Sequence, residues 1–246
     1  MTSEDAGLTG RMALLWGQRA QPRRGPKPVL TPERVATAAI GIADAEGLAA
    51  VSMQRVAAEF DFTAMSLYRY VPARADLLDL MTDLALGEAP ALDTSAGWRP
   101  ALTEWTRHVY AAFRRHPWIL ETTVRVRPTG PRELSWMERP VAALADTGLT
   151  GPEQVDAAVL LLSHVRSQIQ YAPVDAATRT PEVAAGLATA LHEHADEYPA
   201  LVRAAGDGAF GPGDDGGFDF GLRCVLDGIA AVVASRRAGP AGGAAG

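Results

Sequence analysis

The chain has 246 residues, of which 48% are hydrophobic, and a formal net charge of −6 at pH 7. Such a chain can form one large or two smaller domains with a sizeable core, but no apolar run reaches the length of about 18 residues that a membrane span requires. The acidic start argues against a secretory signal, and the single cysteine, Cys224, fits a reducing cytoplasm. Taken alone, the acidic net charge argues against a nucleic-acid partner.

Residues 1–28 are expected to form a disordered N-terminal arm that is basic near its end. Arg23, Arg24 and Lys27 lie among prolines without apolar periodicity. Such an arm can lie along phosphates or enter a minor groove. A solvated tail without DNA contact is the alternative.

Residues from about 31 to 86 are predicted to form four short helices. Thr31, Pro32 and Glu33 supply a hydroxyl cap, a proline at the first helical position and an acid in the first turn. Gly47 is a plausible C-terminal stop for this helix, and an amphipathic helix restarts at Arg74 after Pro72.

Within this region, residues 52–71 have the pattern of a helix-turn-helix motif. Ser52 is a good N-cap, and Asp61 lies where the chain must reverse and tolerates the left-handed conformation. Phe62 is expected in the core, and Thr63 is expected to cap the second helix. An ordinary helical hairpin is the alternative, and the flanking helices make it less favoured.

The second helix of the motif is expected to turn its tyrosines away from the core. Leu67 and Val71 face inward, which leaves Tyr68 and Tyr70 on other faces. Pro72 ends the helix because it disfavours helical geometry at the residue before it.

The segment Thr63–Val71, followed by Arg74 and Leu77-Leu78, resembles the DNA-binding head of the tetracycline-repressor (TetR) family. The family usually has Gly where this chain has Asp61, and often Lys in place of Arg74. The resemblance implies an all-α fold, with a helix-turn-helix head over residues 29–88 and a helical effector-binding and dimerisation domain over residues 98–238.

The resemblance also implies which residues contact DNA. The implied set at the major groove and the flanking backbone is Ser52, Gln54, Thr63, Ala64, Met65, Tyr68, Tyr70 and Arg74. Tyrosine and threonine hydroxyls can bond phosphate oxygens, and an alanine methyl can meet a thymine methyl. Because none of the second-helix positions implied to contact DNA is an Arg or Asn that could make bidentate base contacts, modest direct readout per half-site is expected.

The remainder is predicted to be helical as far as residue 238, with a disordered tail at 239–246. Apolar periodicity and proline starts favour helices over 98–115, 118–126, 131–147, from 152 onward, 181–197 and 217–235.

The helices near 153–171 and 217–236 are apolar around more than a third of their circumference, so they need cover on two sides. A partner chain is the simplest second cover, and it would create a four-helix interface suited to palindromic DNA. Burial inside a monomer is the alternative. The expected interface residues are Val155, Ala158, Val159, Leu162, Leu222, Val225, Leu226 and Ile229.

Aromatic and polar residues in the same region could line an effector cavity, although each one singly is more often core packing. They are Trp105, His108, Phe113, Trp118, Thr122, Arg125, Trp136, Met137, His164, Gln168 and Tyr171. Buried histidines and glutamines among them would need partners that a bound molecule could supply. The family resemblance implies a small hydrophobic effector.

No motif predicts a catalytic residue, a metal site or a cofactor. The glycine pattern of residues 206–211 lacks the strand that a dinucleotide fingerprint needs, and His192 and His194 point to opposite sides of a helix. The sequence therefore predicts a cytoplasmic, homodimeric repressor that a small molecule releases from a palindromic DNA operator. A helical carrier or enzyme whose first helices are only structural is the alternative.

Overall fold

The computed structural model describes residues 3–17, 30–178, 180–209 and 216–238. These residues form α-helices and short 3₁₀ turns, and no strand occurs among them. The chain divides into two compact units, residues 1–158 and 159–246. Over the described ranges, the helices are all too short or too polar to cross a membrane.

The first unit contains eight described helices and the start of a ninth. They are α1 (Ser3–Leu15), α2 (Pro32–Glu46), α3 (Met53–Ala58), α4 (Ala64–Leu67), α5 (Arg74–Leu86), α6 (Trp98–Arg115), α7 (Ile119–Thr122), α8 (Pro131–Leu144) and α9 (Gly151–Thr178). The helix α9 continues into the second unit, where α10 (Pro181–Glu193), α11 (Pro199–Gly206) and α12 (Gly216–Ala238) follow.

Local signals define α2 as the sequence predicts. The Thr31 hydroxyl accepts a hydrogen bond from the Arg34 amide at 3.2 Å, and Pro32 opens the helix. Gly47 ends it with a φ of 84°, a conformation that side chains with a Cβ rarely adopt. The inward face of α2 is fully buried at Val35 and Ala39, so this helix forms the core of the head.

The expectation of a disordered arm over residues 1–28 is wrong for residues 3–17, which include the helix α1. Tertiary contacts explain this helix. Leu14 and Leu15 are buried, and the Trp16 indole donates to the carbonyl of Thr129 at 3.3 Å. The other predicted arm residues, Arg23, Arg24 and Lys27, lie outside the described residues, as does the predicted tail at 239–246.

Asp79 and Asp83 of α5 receive arginines from three other segments, namely α1, the segment after α7 and the start of α8. Asp79 is almost fully buried, and both its oxygens are used: Arg11 of α1 donates through Nε at 2.9 Å, and Arg125 donates through Nη2 at 2.6 Å. Burial raises the pKa of the Asp79 carboxyl above its usual value, and the two guanidinium groups oppose that shift. Asp79 therefore joins α1, α5 and the segment after α7.

One turn further along α5, Asp83 caps the start of α8. Its Oδ1 accepts from the backbone amides of Arg132 and Glu133 at 2.9 and 3.0 Å. These amides belong to the first turn of α8 and have no acceptor inside the helix. Gly130 allows this approach, because a Cβ there would lie 2.1 Å from Asp83 Oδ1.

A second polar contact fixes α2 to the segment between α6 and α7. Asp44 Oδ1 accepts from the Trp118 indole at 2.7 Å and lies 2.8 Å from His116 Nδ1. Both aromatic side chains are buried. The head is therefore attached to α6 and α7 through side chains as well as through α5.

Two helix boundaries after residue 180 differ from the prediction. The helix α10 ends at Glu193, and a separate helix α11 begins at Pro199. Proline at the first position of a helix starts a new one readily, because its missing amide is not needed there. The predicted helix over 181–197 therefore extends four residues too far, and the helix that begins at Pro199 was not predicted.

Candidate DNA-binding surface and effector region

The motif of residues 52–71 has helix-turn-helix geometry. Ser52 caps α3 by accepting from the Arg55 amide at 3.1 Å. Asp61 has a φ of 57°, the only positive φ of a non-glycine residue in the described chain, so it makes the predicted reversal. Leu67 and Val71 are fully buried, and they hold α4 against the core of the head.

One prediction about the turn is wrong, and another holds only for the backbone. Phe62 is not in the core, since 42% of its surface is exposed. Thr63 occupies the N-cap position of α4 as predicted, but its hydroxyl makes no cap hydrogen bond and lies 3.1 Å from the Ser66 hydroxyl. The backbone closes the turn without them, because the Phe62 amide donates to the Ala57 carbonyl at 3.0 Å.

The exposed side of α4 carries most of the residues expected to contact DNA. Met65 is 76% exposed and Tyr68 is 42% exposed, and they lie three residues apart on one face. Thr63 is also exposed, whereas Ala64 and Tyr70 are half-buried. Ser52 and Gln54 are exposed at the start of α3.

The arginines around this surface differ in how much of each guanidinium is already bound by the protein and how much is left to contact DNA. The Arg74 guanidinium donates to the carbonyls of Val51 and Leu48 at 3.1 and 3.4 Å, so it braces the turn before α3. Arg55 forms ion pairs with Glu46 and Glu59. Arg69, which the sequence analysis left out of the site, is exposed at the end of α4. Its position between Tyr68 and Tyr70 was the signal that could have found it.

Most of the expected effector residues in the first unit have their polar atoms occupied by the protein. Trp105 donates to the Trp136 carbonyl at 2.8 Å, and Trp136 donates to the Gly87 carbonyl at 2.9 Å. Thr122 accepts from the Thr82 hydroxyl at 2.8 Å. Trp118 donates to Asp44, and Arg125 donates to Asp79 through Nη2, although its Nε has no partner among the described residues. Phe113, which has no polar side-chain atom, is buried.

Two further effector candidates of this unit lie nearer the surface. His108 was expected within an apolar face, but its ring is 42% exposed and lies 3.3 Å from Glu104. Met137 lines a groove of about 330 Å³ along α8. The other residues of this groove are Pro131, Leu134, Ser135, Glu138 and Val141.

The three candidates in the second unit have different surroundings. His164 Nε2 lies 2.9 Å from the Phe218 carbonyl, and its ring stacks on the Phe218 ring with centroids 5.4 Å apart. Gly221 makes this contact possible, because a Cβ there would lie 2.3 Å from the imidazole. Gln168 is half-buried and Tyr171 is 54% exposed.

The expected dimer residues divide into two groups. Ala158, Leu222, Leu226 and Ile229 are buried within the single chain, so their assignment to the interface is corrected: they have almost no surface left for a partner. Leu162 and Val225 are half-buried. Val155 and Val159 are exposed, and so are residues that the sequence analysis did not select: Leu160, Phe220 and Val232.

An all-helical chain with an N-terminal helix-turn-helix head and a helical second part has the architecture of a one-component DNA-binding regulator. The family model described as "Tetracyclin repressor-like, C-terminal domain" matches residues 89–233. The chain belongs to the TetR family of transcriptional regulators, as its sequence indicated.

Relatives and solved structures agree with this assignment. The chain is 39% identical to the HTH-type transcriptional repressor DrrR1 of Streptomyces coeruleorubidus, over 96% of this chain and 90% of the relative. Apo ActR from Streptomyces coelicolor is 30% identical, with a TM-score of 0.72 over 86% of this chain and 99% of ActR. ActR in complex with actinorhodin is 30% identical, with a TM-score of 0.69 over 83% and 97%.

Proposed function

We propose that this protein is a homodimeric repressor that holds a palindromic operator with the α4 helices of two subunits and leaves it when a small hydrophobic effector binds. The exposed surface of α4, carried on the fully buried Leu67 and Val71, is the observation that supports this proposal best. Two such surfaces, related by the two-fold axis of a dimer, suit operator half-sites whose centres lie about 34–36 Å apart.

The DNA contacts follow from the chemistry of this surface. Tyr68, Tyr70 and Thr63 bond phosphate oxygens, and Met65 and Ala64 meet base edges. Ser52 and Gln54 contact the backbone beside them, and Arg69 adds a charge. Arg23, Arg24 and Lys27 of the basic segment follow phosphates or a minor groove, while Arg74 acts mainly by bracing the head.

The effector binds in the helical region after residue 97. Two observations support a site in the first unit: the groove along α8, and the buried atoms Arg125 Nε and Glu133 Oε2, which have no hydrogen-bond partner among the described residues. ActR, a relative of this fold, has been solved with actinorhodin and with (S)-DNPA. The effector favours a conformation with a different spacing of the two α4 helices, and DNA is released.

The alternative is a helical carrier or enzyme. The relatives named as repressors favour regulation over catalysis, and a regulator of this kind works in the cytoplasm, where the DNA is.

The proposal predicts that the tyrosines of α4 are needed for DNA binding. The double substitution Tyr68→Ala and Tyr70→Ala should weaken affinity for the gene's own upstream region by about 100-fold or more, because contacts to charged phosphates contribute about 1.5–3 kcal/mol each. Band shifts at two salt concentrations measure this loss.

Tyr198→Ala, at the residue just before α11, is the matched control, because it removes an exposed tyrosine outside the head. It should leave affinity unchanged. The Tyr68→Phe and Tyr70→Phe pair keeps the rings and removes only the hydroxyls. Unchanged DNA affinity in the folded Ala pair, shown to be folded by its melting curve, would contradict the proposal.

A further inference from the structure

Two large apolar side chains are exposed at and just before the start of α4. Met65 exposes 76% of its surface, and Phe62, three residues before it, exposes 42%. The sequence pattern had placed Phe62 in the core. Leaving large apolar side chains in contact with water is unfavourable, so their exposure indicates a surface that a partner covers.

The helix α4 itself offers few groups that could hydrogen-bond to bases, and the exposed Arg69 lies two residues beyond its end. The four residues of α4 are Ala64, Met65, Ser66 and Leu67, so none has the amide or guanidinium that gives bidentate base contacts. The Ser66 hydroxyl lies 3.1 Å from that of Thr63, which is already a partner for it. The tyrosines carry one hydroxyl each, which suits phosphate contacts.

Only one apolar group projects from base edges into the major groove, the 5-methyl group of thymine. The other edges carry donors and acceptors that a thioether or a phenyl ring would desolvate without replacing their hydrogen bonds. We propose that Met65 and Phe62 select the operator by packing against thymine methyl groups. This inference rests on the proposed function, because it requires α4 to lie in the groove.

Met65 suits this role for a mechanical reason as well. Its unbranched side chain has three rotatable bonds and a polarisable sulfur, so it can follow the position of a methyl group. Phe62 is less adjustable, since its backbone is held by the hydrogen bond that its amide donates to the Ala57 carbonyl and by the reversal at Asp61. Phe62 therefore packs against a thymine methyl group at a fixed position, and Met65 adjusts its side chain to a second methyl group.

The test uses DNA that the full-length protein selects from a random pool, resynthesised with deoxyuridine at single thymines. Uracil lacks only the methyl group and keeps every hydrogen-bonding edge. Removing one packed methyl should weaken binding about fourfold, and removing the symmetry-related pair about fifteenfold. Thymines outside the half-sites should give no change.

Variants of Met65 connect the effect to the side chain. Met65→Gln has nearly the same shape but is polar, and its affinity should no longer depend on the methyl at one thymine. Met65→Leu stays apolar and should keep most of the dependence. Phe62→Ala should remove the dependence at a different thymine. Met65 is mostly exposed, so neither of its variants should alter the melting temperature.

The outcomes separate the two proposals. If the protein selects a palindrome but uracil replacement has no effect at any thymine, or if Met65→Gln keeps the full effect, methyl recognition is overturned and the DNA-binding function stands. If the Tyr68→Ala and Tyr70→Ala pair binds as well as the natural protein, the placement of α4 in the groove is overturned and this inference with it.

Discussion

At the scale of single residues, position 130 must be glycine because the carboxylate of Asp83 occupies the place that a Cβ would take. Its φ of −82° is one that any residue adopts, so its role is steric. A methyl group there would fall 2.1 Å from Asp83 Oδ1, inside the cap of α8. The carboxylate would have to leave two amides of the first helical turn without their acceptor.

Gly130→Ala should therefore lower the free energy of unfolding by about 2 kcal/mol or more, the range for losing a cap and creating a clash. Urea denaturation measures the change. Gly41→Ala in α2 is the matched control: nothing lies within 4 Å of the position that its methyl group would take, and alanine is the better helix former, so this variant should be slightly more stable. Equal stability of Gly130→Ala and the natural protein would show that Asp83 does not need this space.

The residues that sequence reasoning placed correctly act through their own backbone. Thr31, Ser52 and Asp61 have roles that depend on neighbours within three positions along the chain. Phe62 was misplaced, and the Thr63 hydroxyl makes a different contact from the one expected, because the surroundings of both side chains depend on how α3 and α4 cross. Arg74 could not be assigned to the carbonyls of Leu48 and Val51 from spacing alone, since they are more than 20 residues away.

At the scale of elements, α1 depends on contacts made elsewhere in the first unit. Its last turn buries Leu14 and Leu15, and Arg11 reaches the buried carboxylate of Asp79. The short helix would be marginal alone in water. Periodicity could not reveal it, because its stability comes from tertiary contacts with α5.

Arg11→Ala should release α1 and destabilise the fold by about 1–3 kcal/mol, since Asp79 loses one of two charged partners. Amide hydrogen exchange should show faster exchange in residues 9–15 and little change in α6. Arg139→Ala, at an exposed position of α8, removes the same charge and serves as the control. Slow exchange retained in α1 of the Arg11 variant would mean that its leucines suffice to dock it.

At the scale of the whole molecule, the sequence identified the apolar helices but not which face each one buries. Leu222, Leu226 and Ile229 of α12 face the chain's own interior, while Phe220 and Val232 remain exposed at 61% and 44%. The periodicity of the sequence shows that a helix has an apolar face. When a helix has two such faces, the periodicity does not show which one packs inside the subunit and which one contacts a second subunit. The exposed group on α12 is therefore the better candidate for the dimer contact.

Phe220→Glu should convert the dimer to monomer in sedimentation experiments, because a carboxylate and the Arg223 guanidinium beside it, 5.7 Å from the Phe220 ring, would have to lose water in an apolar contact. It should also reduce operator binding steeply, since one head contacts only a half-site. Val183→Glu, at an exposed valine of α10, adds the same charge at another apolar position and should stay dimeric. A dimeric Phe220 variant would exclude this face of α12 from the interface.

The shared oxygen of Asp44 limits how freely the head can be exchanged for another. It serves the Trp118 indole and lies at hydrogen-bond distance from His116, and both of those side chains belong to the part that a chimera would keep. A grafted head with an aliphatic residue at the position of Asp44 would leave the buried Trp118 indole and His116 Nδ1 without this hydrogen-bond partner. Biosensors made by replacing the head of this protein would need an acidic residue at the position of Asp44, or compensating changes at both His116 and Trp118.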